Sequence, residues 1–300
     1  MKRQGIEPQD LAAYIFLAIA WGLSFLVILL VIDAFGWIGA VTLRALIAGV
    51  TLFIVAALMR RKLDFSAGWW PFFVMGATTV AGQLIGLSYG TPRIGTATAA
   101  ILVAAIPLFS MLIGQYWGLE RITTHGVLGL VLGIVGIVLL VGFPAVPVTG
   151  DFLIGCAASL FSSFCAAYGS NYANFRLRGT GSMEITASSF LFGGLMTLPL
   201  LVVVPVPALP RSIDYAMLLL LGSIMSGLTY LIYFRLVARV GATKAVSVEF
   251  AVTIVAVFVG AIVLHEPLSL IQLAGAATII AGCALVLGLV PWRRDEARVA

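Results

Sequence analysis

Ionisable side chains inside apolar stretches are few in this 300-residue sequence, and they bound the chemistry open to it. Glu249 and Arg44 each stand within a run of aliphatic residues, where an ionised group is costly unless it is paired or faces water. A guanidinium at position 44 offers parallel N–H donors to a carboxylate. It could equally cap carbonyls of a neighbouring helix. A carboxylate at position 249 can take an ammonium group or a proton, or form half of an ion pair with Arg235 or Arg239. Aromatic and neutral polar residues accompany them in short clusters: Trp21, Ser24 and Phe25; Gln83 and Tyr89; Ser163, Tyr168 and Asn171; Tyr230 and Tyr233. Such rings stack on an aromatic solute or attract its ammonium group. A site that is mostly apolar, with a few oriented polar groups, suits a neutral or zwitterionic small molecule. The competing role is packing, and Trp69, Trp70 and Trp292 read as an interfacial belt.

Other chemistries lack their parts. The sequence has no HExxH, GxSxG, phosphate-cradling P-loop or CxxC. Cys156, Cys165 and Cys283 fall singly in apolar blocks and read as small packing residues. His125 and His265 are expected on opposite membrane faces, about 30 Å of hydrocarbon apart, so they cannot share a site. No ring of charges or carbonyl filter marks an ion channel. The expectation is a protein with no catalytic residue, metal or cofactor.

The elements that must position these residues are membrane helices. Hydrophobic residues make up 62% of the chain and charged residues 10%, and the mean hydropathy is +1.14; a soluble domain is about half apolar and about a quarter charged. A bilayer core takes roughly 20 apolar residues per helix. Ten such blocks can be cut, at about 11–32, 38–59, 69–90, 95–116, 123–142, 150–174, 183–205, 213–238, 243–263 and 268–290. The first block is too long for a signal-peptide core and is expected to remain as a span. With both termini in the cytoplasm, Arg60, Arg61, Lys62, Arg121, Arg176, Arg178, Arg235, Arg239, Lys244 and the basic residues of both tails lie on the inner side, and only Arg93 and Arg211 lie outside. That asymmetry fixes orientation in a bacterial inner membrane. It also explains a pI near 9.3 without nucleic acid. Membrane lipid is the expected environment, and Arg293, Arg294 and Arg298 form a basic tail open to anionic headgroups.

The chain also repeats itself. A shift of 146 positions lays Gly76 on Gly222, Arg93 on Arg239, Gly95 on Gly241, Ala99 on Ala245, Gly114 on Gly260, Glu120 on Glu266, Gly129 on Gly275, Gly136 on Gly282 and Gly142 on Gly288. Chance placement of glycine would give about one such coincidence, so a duplication explains them. Two five-helix copies, 1–148 and 149–300, form one membrane domain. The odd helix number turns the second copy upside down, the inverted-repeat plan of secondary transporters. Pro107, mid-span, predicts a kink that serves either as a hinge or as plain architecture. Gly129, Gly133 and Gly136 predict close helix packing, within the half or in a homodimer contact through peripheral helices.

Several motifs together resemble the EamA-domain branch of the drug/metabolite transporter superfamily: Trp21-Gly22-Leu23-Ser24-Phe25, Arg44, Leu87-Ser88-Tyr89, Gly95 through Ile106-Pro107, Gly118-Leu119-Glu120 and Leu264-His265-Glu266. The resemblance spans essentially the whole chain and is nearest to YddG-type bacterial aromatic amino acid exporters. It implies an all-α fold of ten transmembrane helices in which spans one to four and six to nine enclose a central cavity, with spans five and ten at the periphery. It implies export of small organic solutes, neutral or aromatic amino acids foremost, with other metabolites or cationic drugs as the alternative. The sequence departs from the family pattern at Phe35-Gly36-Trp37, where a proline is usual.

This topology predicts that a cysteine introduced at Ser182, in a chain otherwise free of cysteine, resists a membrane-impermeant thiol reagent added to intact cells. Labelling from outside would overturn the orientation.

Overall fold

The computed structural model describes residues 8–119, 124–144, 146–207 and 209–286. Glu120, Arg121, Trp292 and the basic tail lie outside them. Among the described residues the regular elements are all helical. Among the described residues seven helices are long and apolar enough to cross a membrane, and two shorter apolar helices follow. They are α1 (Pro8–Leu58), α2 (Trp69–Ile94), α3 (Thr96–Tyr116), α4 (Thr124–Gly142), α5 (Gly150–Arg176), α6 (Ser182–Val202), α7 (Ser212–Val240), α8 (Val248–Val263) and α9 (Leu270–Val286). The chain is a multi-pass membrane protein.

The 51 residues of α1 would run about 75 Å as a straight helix, at about 1.5 Å per residue, more than twice the hydrocarbon thickness of about 30 Å. Gly36 divides them. Its φ of 71° and ψ of 164° are non-helical, a conformation open to glycine because it has no Cβ. The turn expected from proline is thus made by glycine, and a limb of α1 lies on each side of it.

Contacts at the helix tips define two ends. At one, Asp10 pairs with Arg239 at 3.1 Å and Glu184 with Arg61 at 3.3 Å. At the other, Phe35 meets Tyr215, Trp37 meets Tyr89, and Glu266 reaches the start of α3. Successive helices therefore alternate in direction between an Asp10 end and a Glu266 end.

Breaks inside helices are answered by side chains from elsewhere, as a medium without water requires. Pro107 has no N–H for the carbonyl of Val103, and α3 loosens just before it, at Ala104 and Ala105, where ψ is −9° and −5°. Carbonyls along this stretch gain donors from three other helices: Thr253 Oγ1 to Ala100 O at 3.1 Å, Ser163 Oγ to Leu102 O at 3.1 Å, and Cys283 Sγ to Ala104 O at 3.2 Å. Helices α2 and α7 each contain a π-helical stretch, Gly76–Gly82 and Leu220–Leu228.

The small residues of α4 face inward rather than toward a second subunit. A Cβ on Gly136 would stand 2.7 Å from the Gly275 carbonyl, and one on Gly282 would stand 2.5 Å from the Gly129 carbonyl. Gly133 receives the Leu108 side chain. The glycine face is therefore filled by α9 and by Leu108 of α3 in the same chain, the first of which neither sequence alternative anticipated.

Gly136→Leu should wedge α4 from α9 at a cost of about 1–3 kcal/mol, the usual range for overpacking. Thermal unfolding of the detergent-solubilised protein should show a clear fall in midpoint. An unchanged midpoint would mean that the seam is loose.

Candidate functional site

Short helical spacings gather the central polar residues. Trp21, Ser24 and Phe25 lie one turn apart on the first limb of α1, Arg44 lies on the second limb, and Gln83, Leu84 and Leu87 lie on α2. With Val103 of α3, Ser162 of α5, Tyr230 of α7, and Glu249 and Val252 of α8, they line one cavity of about 40 Å³. A cavity needs about 10–15 Å³ by this measure to hold one water molecule. The space admits water but not an aromatic solute. Helices α4, α6 and α9 contribute nothing to its lining.

Each cavity group is held from behind. Trp21 donates its indole N–H to Thr229 Oγ1 at 2.9 Å, and its ring lies 5.3 Å from both Tyr230 and Tyr233. Ser24 Oγ donates to the Trp21 carbonyl at 2.7 Å. Arg44, fully enclosed, donates from Nε to Ser226 Oγ at 2.8 Å, and that hydroxyl donates to the Leu221 carbonyl at 2.7 Å. Ser226 thus lets a π-helical turn steer the guanidinium. Two cavity atoms remain open: among the described residues neither Arg44 Nη1 nor Gln83 Oε1 has a hydrogen-bond partner. The Tyr230 hydroxyl lies within electrostatic reach of Arg44, Glu249 and Gln83.

Glu249 does not form the ion pair considered from sequence. Arg239 holds Asp10, and Arg235 is exposed. The carboxylate instead borders the cavity and makes no ion pair among the described residues.

Five sequence candidates fall outside the cavity lining. Tyr89 lies near the Glu266 end, 5.0 Å from Trp37 and beneath the Arg93 guanidinium at 3.6 Å. Ser163 gives its hydroxyl to the loosened part of α3 and to Ser159 O. Asn171 donates to Ser110 Oγ at 2.8 Å and to Ala167 O at 2.9 Å. Tyr168 joins Trp117 and Tyr172 in a ring column, at centroid distances of 5.1 and 6.0 Å. Tyr233 stands behind Trp21 with its hydroxyl 2.9 Å from Ser170. Sequence reasoning also passed over Ser226 and Thr229. Their signal was the spacing 226, 229, 230, 233, a single helical face.

The sequence model of the EamA-like transporter family matches this chain twice, over residues 10–142 and again over 153–288. The chain belongs to that family. YoaV of Bacillus subtilis, an uncharacterised transporter, is 23% identical over 243 residues, covering 80% of this chain and 83% of YoaV. A probable terminal-alkyne amino-acid exporter of Streptantibioticus cattleyicolor is 25% identical over 294 residues, 95% of either chain. YvbV of Bacillus subtilis, another uncharacterised transporter, is 29% identical over 262 residues, covering 81% of this chain and 80% of YvbV. A solved crystal structure superposes with a TM-score of 0.70 at 16% identity, over 95% of this chain and 100% of its own, and shares the fold. As a member of a transporter family, this chain is not an enzyme.

Ser226→Ala should leave Arg44 Nε buried without its partner, a loss of about 1–3 kcal/mol. Thr229→Val, which leaves the neutral Trp21 indole N–H rather than a charged group without its acceptor, should cost less. Unfolding in detergent would show the order of the two variants, and the reverse order would contradict the anchoring described above.

Proposed function

We propose that this chain is a secondary transporter that exports neutral amino acids, aromatic ones foremost, from the cytoplasm of a bacterium. Two inverted five-helix halves, 1–148 and 149–300, open the central cavity alternately to the two faces of the inner membrane, each limb of α1 counting as one span. Both termini are cytoplasmic. The observation that carries the substrate class is the meeting of Arg44, with a free N–H, and Glu249 in a cavity walled by Trp21, Phe25 and Tyr230. A guanidinium suits the carboxylate of a zwitterion, a carboxylate suits its ammonium group, and the rings suit an aromatic side chain.

The two family matches, one per half, support the duplication. So does the correspondence of features under the shift of 146: the π-helical stretch Gly76–Gly82 falls within Leu220–Leu228, and Gly95 and Gly241 share left-handed φ values of 81° and 89°. Arg61, Arg176, Arg178, Arg235 and Arg239 gather at the Asp10 end, which supports a cytoplasmic assignment of that end under the positive-inside rule. The cavity is too small for the solute, so binding requires an end to open, and the loosened stretch before Pro107 supplies a hinge. A purely cationic drug would meet Arg44 inside the cavity, which favours the zwitterion.

Proteoliposomes loaded with unlabelled phenylalanine or tryptophan should take up the labelled amino acid by counterflow. Arg44→Gln should lower that exchange at least about tenfold, as loss of a charge-assisted bidentate contact implies. Trp21→Ala should lower it more for tryptophan than for alanine. Ready exchange of phosphorylated metabolites with no saturable amino acid exchange would sink the assignment.

A further inference from the structure

The contact at the Glu266 end joins two distant parts of the chain. Gly95, at φ 81° and ψ 163°, separates α2 from α3 and leaves the first turn of α3 without a side-chain cap from its own neighbourhood. The first N–H groups of a helix lack intrahelical partners and carry its positive dipole end. Glu266, 170 residues away in sequence, answers them: Oε1 accepts from Thr96 N at 2.7 Å and Thr96 Oγ1 at 2.9 Å, and Oε2 accepts from Ala97 N at 2.9 Å. A carboxylate receiving backbone N–H groups at a helix start is among the stronger hydrogen-bonded contacts.

Two glycines make room for it. A Cβ on Gly95 would come within 3.1 Å of the Glu266 carboxyl carbon, and one on Gly260 within 2.7 Å of Oε2. The carboxylate is also aimed from its own side. Leu264 N donates to Val259 O at 3.1 Å and Glu266 N to Gly260 O at 2.9 Å, with His265 between them in the left-handed region at φ 54°. Gly95, Gly260 and Glu266 are three of the positions that the shift of 146 duplicates, as Gly241, Gly114 and Glu120.

The three elements that meet here also wall the cavity. Leu87 lies two turns before Gly95, Val103 lies two turns after Thr96, and Val252 lies on α8, the helix that leads to Glu266. We propose that Glu266 is a gate residue: its carboxylate holds α8 against the α2–α3 corner and closes the Glu266 end of the cavity, and opening that end to a solute requires all three hydrogen bonds to break. This assignment rests on the alternating-access reading. It adds a specific latch, and it concerns the path to the cavity rather than the chemistry of what binds there.

Accessibility of the cavity tests it without reference to a substrate. In a background with Cys156→Ala, Cys165→Ala and Cys283→Ser, a reporter Leu87→Cys would be labelled with a membrane-impermeant thiol reagent in sealed vesicles of each orientation. Glu266→Gln sets an amide NH₂ against the donors at 96 and 97, and should speed labelling from the Glu266 face at least tenfold, with no gain from the opposite face. Gly260→Ala, which displaces the carboxylate while keeping it, should do the same. Thr96→Val, which removes one bond of three, should give a smaller rise and guards against a misfolded Gln variant. Wild-type labelling rates in monodisperse Gly260→Ala and Thr96→Val proteins, or acceleration only from the opposite face, would overturn the proposal. If counterflow of amino acids fails in wild-type proteoliposomes while these rates still change, the substrate assignment falls and the gate stands.

Discussion

In the hydrocarbon core of a bilayer a backbone N–H or C=O has no water to turn to, so each place where a helix departs from regularity must be answered by another part of the protein. This chain departs from it repeatedly, at Gly36, Gly95, Ala104–Ala105 and Gly241 and in the π-helical stretches of α2 and α7. The answers are long-range contacts. Glu266 serves the start of α3, while Thr253, Ser163 and Cys283 serve its middle. Ser226, in a π-helical stretch, passes the order of its own turn to Arg44. The irregularities therefore determine which helices meet and where the central side chains point.

A cavity with room for water and an ion-pairing residue on either side sets two demands at once. Arg44 and Glu249 border the same largely apolar space without pairing with one another. The Tyr230 hydroxyl lies within electrostatic reach of both, and Gln83 lines the same space. A solute that replaced the water would have to match both charges and also displace the rings that now pack together, Trp21 against Tyr230 at 5.3 Å.

Much of this was legible in the sequence for a simple reason. Trp21, Ser24, Phe25, Arg44, Gln83, Tyr230 and Glu249 stand out because polar and aromatic groups are scarce in apolar runs, and they do share a cavity. Ser163 and Asn171 stand out on the same grounds and yet bond to neighbouring backbone and side chain, because a hydroxyl or amide in a membrane helix has two outlets that sequence cannot tell apart. Glu249 meets neither of the arginines considered for it, since Arg239 is engaged by Asp10 and Arg235 is exposed. The glycine spacing of α4 announced close packing but not its partner, since α9 lies more than a hundred residues downstream.

That seam carries a mechanical consequence. Gly129 and Gly136 bring the backbone of α4 against the backbone of α9 at Gly275 and Gly282, leaving few side chains between them to bend or re-rotamerise. Helices joined in this way resist being pulled apart, but they can turn slightly about their line of contact. Because α4 belongs to the first part of the chain and α9 to the last, the seam is placed to act as a pivot at the rim of the bundle. Small rotations there would be magnified into larger displacements at the far side, as in a door whose hinge stands well away from its handle.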